Sequence, residues 1–173
     1  MQLWLIRHTH APPAGADEND AARKLSPQGR ATAEELGRFF RRHGALSSAA
    51  LCWHGPLVRA RETAELLRAG GKFDGVLQET GGIAPEDDPV EIAERLEKWT
   101  GGSLVLVGHE PHLGALGTLL VRGKVKPVQF ELKKGAVLAL ESTGGVHTKA
   151  GRRRWQVRWL LAPALLRTEP PKK

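Results

Sequence analysis

Apolar positions fall in short continuous runs that alternate with helical stripes. Leu3 to Ile6 is an unbroken apolar run ending at Arg7 and His8, the pattern of a strand buried on both faces. From Thr9 to Lys24 the chain is rich in Pro, Gly, Ala and acidic residues and reads as a loop. Ser26-Pro27 predicts a helix start, with serine as N-cap and proline in the first turn; Leu36, Phe39 and Phe40 form its stripe and Gly44 its stop. Ala49 to Trp53 predicts a second strand. Pro56 opens a second helix with Leu57, Ala60, Ala64 and Leu67 on one face and Gly70-Gly71 at its end. Val76-Leu77 predicts a short strand, and Thr80 to Pro89 a loop. A third helix runs from Pro89 to about Trp99, with Val90, Ile92, Ala93 and Leu96 inward, and Gly101-Gly102 stops it. Leu104 to Val107 is the clearest buried strand, and Pro111 opens a fourth helix carrying Leu113, Leu116 and Leu120. Beyond it the pattern changes: Val128 to Leu132, Ala136 to Leu140 and Trp155 to Leu161 predict strands joined by Gly/Lys turns.

Strands alternating with helices predict an α/β fold, a three-layer sandwich with a mostly parallel sheet flanked by helices and an antiparallel edge from the late strands. No composition shift or linker interrupts residues 1–173, so a single domain is expected. In open α/β sheets ligands sit beyond the carboxyl ends of the strands. That rule points at Arg7-His8, at His54-Gly55 with the helix start behind it, and at Gly108-His109-Glu110.

Composition narrows the classes. With 40% hydrophobic residues in 173, a wholly disordered chain is excluded. The single cysteine, Cys52, rules out an internal disulfide and a multi-cysteine zinc site. The four-residue apolar run before Arg7 is too short for a signal peptide, and no stretch approaches the roughly 20 apolar residues of a membrane helix, so a cytoplasmic protein is expected. A net charge of +7 attracts phosphates or acidic partners. Arg152, Arg153, Arg154 and Arg158 read either as a solvated run or as a dock for an acidic protein. With no Tyr and little Phe there is little to stack on bases, so nucleic acid is an unlikely partner.

His8 and His109 each follow an apolar strand directly. A neutral imidazole there can attack phosphorus, dividing one hard displacement into two easier ones. The transferred group carries negative charge that cationic donors must surround, and Arg7 and Arg59 offer planar bidentate donors. The start of the second helix would add backbone N–H groups. From spacing alone a histidine after a strand is more often a hydrogen-bonded structural residue than a catalyst, and Arg7 more often a surface or ion-pair residue. His8-Thr9-His10 and His109-Glu110-Pro111-His112 admit a metallohydrolase, although two arginines beside a dication would repel it.

LWLIRHTHA, LSPQGRATA, GPLVRARETAELL and LVLVGHEPHLG, in that order, resemble the histidine phosphatase superfamily, most closely its small SixA-like phosphohistidine phosphatase branch. The resemblance implies a phosphoglycerate mutase-like fold with no large lid insertion. It implies His8 as phosphate-accepting nucleophile, Arg7 and Arg59 as phosphate clamps, His109 as a further phosphoryl ligand, and no metal or other cofactor. Thr9 stands where the family usually has Gly, and Gly55 where it usually has Ser before the proline. Glu110 occupies the place of one branch's general acid and equally suits a helix N-terminal carboxylate. Glu79, Glu86 and Asp87 lie in a segment that could overhang the pocket. The expectation is a metal-independent phosphatase acting on phosphohistidine of a partner protein. Its rivals are a phosphatase of small phosphate esters and a non-catalytic phosphate or polyanion binder.

Overall fold

The computed structural model describes residues 1–15, 19–146 and 151–166. Lys172 and Lys173, and part of the Thr9–Lys24 loop, lie outside the described residues. The elements in chain order are β1 (Gln2–Arg7), α1 (Pro27–His43), β2 (Ala49–His54), α2 (Val58–Gly71), β3 (Val76–Glu79), α3 (Pro89–Glu97), β4 (Ser103–Gly108), α4 (His112–Arg122), β5 (Val137–Val146) and β6 (Arg153–Leu161), with short 3-10 turns at Asp20–Ala22 and Pro163–Leu166. One six-stranded sheet has the order β3-β2-β4-β1-β5-β6. The first four of these are mutually parallel, and β5 and β6 add an antiparallel edge.

The side-chain period of two along a strand builds the layers. Leu3 and Leu5 of β1, Leu104 and Leu106 of β4 and Leu138 and Leu140 of β5 face Ile92, Leu96, Leu113 and Leu116 of α3 and α4. Trp4, Ile6, Val105, Val107 and Val137 face Leu36, Phe40, Ala64 and Leu67 of α1 and α2. Strand β4 is buried throughout, as its uninterrupted apolar run requires. Helices α1 and α2 approach closely: a Cβ on Gly37 would lie 2.8 Å from Gly70 Cα. Cys52 is fully buried in this layer, and burial pushes its thiol up to about 12. It should therefore stay unreactive toward Ellman's reagent in the native protein and titrate only on unfolding; stoichiometric labelling without denaturant would contradict this packing.

Most element boundaries follow the sequence signals. Ser26 caps α1, its Oγ accepting from Gly29 N–H at 3.0 Å, and Gly44 ends the helix with φ 60°. Asp88 caps α3, accepting from Val90 N–H. Helix α2 begins two residues later than Pro56 suggests, because Gly55 N–H still donates to Val107 O of β4 and the chain must turn before it can coil. Helix α3 stops at Glu97, short of Trp99, whose indole N–H donates to Gly102 O.

One predicted strand is absent. Residues 128–132 form no ladder; two of their N–H groups are taken instead by side chains of the α4 region. Gln129 N–H donates to Thr118 Oγ1 at 2.9 Å, and Leu132 N–H to Glu110 Oε1 at 2.7 Å. Backbone satisfied by a helix's side chains needs no neighbouring strand.

Candidate active site

Strands β1 and β4 are parallel neighbours with Arg7 opposite Gly108, so the next residue of each, His8 and His109, emerges at the same sheet edge. His8 N–H donates to Gly108 O at 3.0 Å, and the two imidazole centroids lie 4.6 Å apart at 43°. Both rings are buried. His8 Nδ1 stands 2.6 Å from Thr9 O, and since a carbonyl only accepts, that nitrogen carries the proton. The lone pair is left on Nε2. Burial, reinforced by His109, Arg59 and Arg7 and opposed by the bond to Thr9, pushes His8 down to about 3. Burial, then Arg59 and Arg7, takes His109 to about 3 as well. Near neutral pH both rings are uncharged.

The arginines arrive from two sides. Arg7 ends β1 and donates through Nη1 to Leu132 O at 2.8 Å. Arg59, in the first turn of α2, donates through Nη1 to Asp20 O at 2.8 Å and through Nη2 to Asp20 Oδ2 at 3.0 Å. Arg59 is thus fixed by both outer nitrogens and Arg7 by one. Arg7 Nε, Arg59 Nε and both ring nitrogens of His109 are buried and have no hydrogen-bond partner among the described residues. Buried polar groups are rarely left unpaired, because each one costs free energy. These four nitrogens belong to the side chains whose rings or charges act on His8, and together they make a desolvated, electropositive recess suited to an oxyanion.

Thr9 fits this arrangement through α2. Thr63 Oγ1 donates to Arg59 O at 2.7 Å, so it accepts from Thr9 N–H at 3.2 Å and from Thr9 Oγ1 at 3.4 Å. The extra hydroxyl ties the end of β1 to the helix that carries Arg59. At Gly55 there is room for the serine that the sequence lacks: a Cβ there would sit 3.8 Å from His109 Nδ1.

The candidate acids are placed differently. Glu110 Oε1 accepts from Leu132 N–H and Oε2 from Gly114 N–H at 3.2 Å, so both oxygens are committed to backbone. Burial raises its pKa, against those two bonds and Arg7. Glu79 and Glu86 are exposed, and Asp87 accepts from Ala84 N–H; none of the three bonds to the histidines or arginines of the recess among the described residues. His10 Nδ1 is bonded to Ser26 Oγ, and no group of three or more His, Cys, Asp or Glu side chains among the described residues is placed to hold a metal.

Three residues beside the recess carry no signal in the sequence pattern. Asp20 bridges Arg23, at 2.6 Å, and Arg59, and these cations hold its carboxyl below its usual range. Arg23 also bonds to Pro12 O. Lys134 reaches Ala11 O at 3.5 Å, and its pKa is lowered by burial and then by Arg7, Arg23 and Arg59. Tertiary structure alone brings them here. The late arginines lie elsewhere: Arg152 pairs with Glu94, Arg153 bonds to Glu97 and Trp99 O, and Arg158 pairs with Glu141.

A buried histidine pair flanked by two arginines at the carboxyl end of a parallel sheet defines a phosphoryl-handling class. The sequence profile of the histidine phosphatase superfamily (branch 1) matches residues 3–102. An uncharacterised protein of the cyanobacterium Picosynechococcus is 32% identical over 154 residues, covering 82% of this chain and 86% of that protein. The chain belongs to the histidine phosphatase superfamily. Its fold, phosphoglycerate mutase-like, matches that of the protein histidine phosphatase SixA complexed with tungstate, with a TM-score of 0.80 at 19% identity over 96% of this chain and 100% of the other. It also matches the alpha-ribazole phosphatase from Shigella flexneri, with a TM-score of 0.71 at 16% identity over 94% of this chain and 97% of that one. No helix among the described residues is long and apolar enough to cross a membrane.

Proposed function

We propose that the protein is a metal-independent phosphatase that removes the phosphoryl group from phosphohistidine on a partner protein, through a phospho-His8 intermediate. The observation that carries the reading is the set of buried, unpartnered nitrogens on Arg7, Arg59 and His109, the three side chains whose rings or charges act on a neutral His8 with a free Nε2. Nε2 forms a bond to phosphorus as the bond to the leaving atom breaks, and the leaving atom departs with that electron pair. The three side chains take the charge on the equatorial oxygens. In the second half a water oxygen attacks phosphorus, the pair returns to Nε2, and inorganic phosphate leaves with the water's proton released.

The substrate class follows from the acids. Asp20 is held ionised by Arg23 and Arg59, and Glu110 is committed to two backbone N–H groups. An alkyl ester's leaving alkoxide needs a proton from such a group. A phosphoimidazole protonated on its other nitrogen leaves as neutral imidazole and needs none. SixA, which shares the fold, is a protein histidine phosphatase. The second reading, a phosphatase of small esters, draws on the alpha-ribazole phosphatase of the same fold.

Phosphate release in EDTA separates these readings. The kcat/KM for a phosphohistidine-bearing protein should exceed that for an alkyl phosphomonoester by about a hundredfold, the usual contribution of one general acid. A faster alkyl ester would transfer the assignment to small esters, and loss of both activities in EDTA would remove the metal-independent mechanism. Tungstate binding without turnover would make the protein a phosphate binder.

A further inference from the structure

Residues 128–132 cross the start of α4 as a strap, and Glu110 holds the end of it nearest the recess. Leu132 N–H donates to Glu110 Oε1 at 2.7 Å, while Leu132 O accepts from Arg7 Nη1 at 2.8 Å. Glu110 therefore reaches Arg7 through two hydrogen bonds and one fully buried residue. Its second oxygen, on Gly114 N–H, fixes the carboxylate to the first turn of α4. The other end of the strap is anchored where Gln129 N–H meets Thr118 Oγ1, whose own proton goes to Gly114 O at 2.7 Å. The helix is bare where the strap crosses: a Cβ on Gly114 would lie 2.2 Å from Phe130 O and 2.9 Å from Glu110 Oε2.

Resting on the phosphatase reading, we propose that Glu110 is a positioning residue for oxyanion binding: it fixes Leu132, whose carbonyl holds the Arg7 guanidinium with Nε toward the phosphoryl group. A guanidinium fixed at one nitrogen presents its remaining donors in a set plane and loses less freedom when the anion binds. Glu110 can do this because an ionised carboxylate accepts at both oxygens. A glutamine offers one oxygen and turns an NH₂ group against the second backbone N–H.

The test is Glu110→Gln, compared with wild type by tungstate titration calorimetry, by steady-state kinetics and by ¹⁵N NMR of the arginine side chains. Tungstate affinity should fall about tenfold, the scale of one charge-assisted hydrogen bond. The kcat for p-nitrophenyl phosphate and for phenyl phosphate should change by the same factor, and the Arg7 Nη signals should pass from restricted to rotationally averaged. Selective loss on phenyl phosphate, whose leaving group needs the proton more, with Arg7 still restricted, would make Glu110 the acid and overturn the proposal. Reduced thermal stability with unchanged tungstate affinity and a restricted Arg7 would overturn it as well. If Glu110→Gln does not fold, Thr118→Val frees the far end of the strap with the carboxylate intact. It should weaken tungstate binding in the same direction and loosen Arg7, and no change in either would overturn the proposal. A wild-type protein that neither binds tungstate nor releases phosphate from a phosphate ester or phosphohistidine would refute the phosphatase reading, while the Arg7 signals would still decide the relay.

Discussion

Replacing His8 by alanine is expected to lower phosphatase turnover by roughly three orders of magnitude or more, the scale on which nucleophile deletions act. The fold and tungstate binding should survive. No other nitrogen in the recess offers the same combination of properties. His8 has its Nδ1 proton fixed by Thr9 O and its Nε2 lone pair free, and burial keeps the ring neutral. His109 is equally neutral but has no bond among the described residues to fix its tautomer, and the arginines are cations. The cost of the substitution should therefore fall on kcat. Arg7, Arg59 and His109 remain to hold an oxyanion, so tungstate should still raise the melting temperature of His8→Ala. Labelling with a ³²P substrate and an alkaline detergent quench supplies the second readout: wild type should carry an alkali-stable, acid-labile phosphate that the variant lacks. Undiminished turnover in a folded His8→Ala protein would remove this residue from the nucleophile's place.

The sheet and the histidine pair were legible because they depend on local pattern and on one register. The apolar runs at Leu3–Ile6 and Leu104–Val107 can only be buried strands, and pairing them in parallel brings His8 beside His109. Residues 128–132 were misread for a physical reason. An apolar alternation says that a segment is half buried and says nothing of what satisfies its N–H groups; here Thr118 and Glu110 do so in place of a strand. The same fact hid the direction of Glu110, since its partner Leu132 lies 22 residues away and meets it only once the strap crosses α4. Asp20, Arg23 and Lys134 were silent because loop residues carry no period. Their charges gain meaning from Arg59 and Arg7, which tertiary structure alone brings near them.

The neutral histidines should also govern how stability and activity respond to acid. In the unfolded chain both titrate near 6.5, whereas in the folded protein each is pushed down to about 3. Between those values the unfolded state binds more protons, so stability falls as pH drops through 6.5, and the loss stops growing near pH 3. The linkage slope is about 1.4 kcal/mol per pH unit for each histidine across that window. Glu110 acts in the opposite sense: its raised pKa makes its ionised form a cost to folding that acid relieves. It is one group against three, since burial lowers the pKa of His112 as well, and its shift is opposed by its two backbone bonds. Urea denaturation at pH 7 and pH 5 should therefore show a clear loss at the lower pH, and His109→Ala should remove part of the histidine slope and leave the part due to His8 and His112. Saturating tungstate should flatten the decline, because an anion among Arg7, Arg59 and His109 favours the charged imidazole and lifts its pKa toward the unfolded value. Activity should behave otherwise. An ordinary histidine near 6.5 would be only about 3% neutral at pH 5 and would lose roughly thirtyfold in rate. His8 remains neutral there, so kcat/KM, corrected for the substrate's own ionisation, should stay level from pH 7 to about 4.5. A thirtyfold fall by pH 5 in protein that is still folded would show that His8 titrates as an exposed imidazole, and the desolvated recess would then not hold its nucleophile as described.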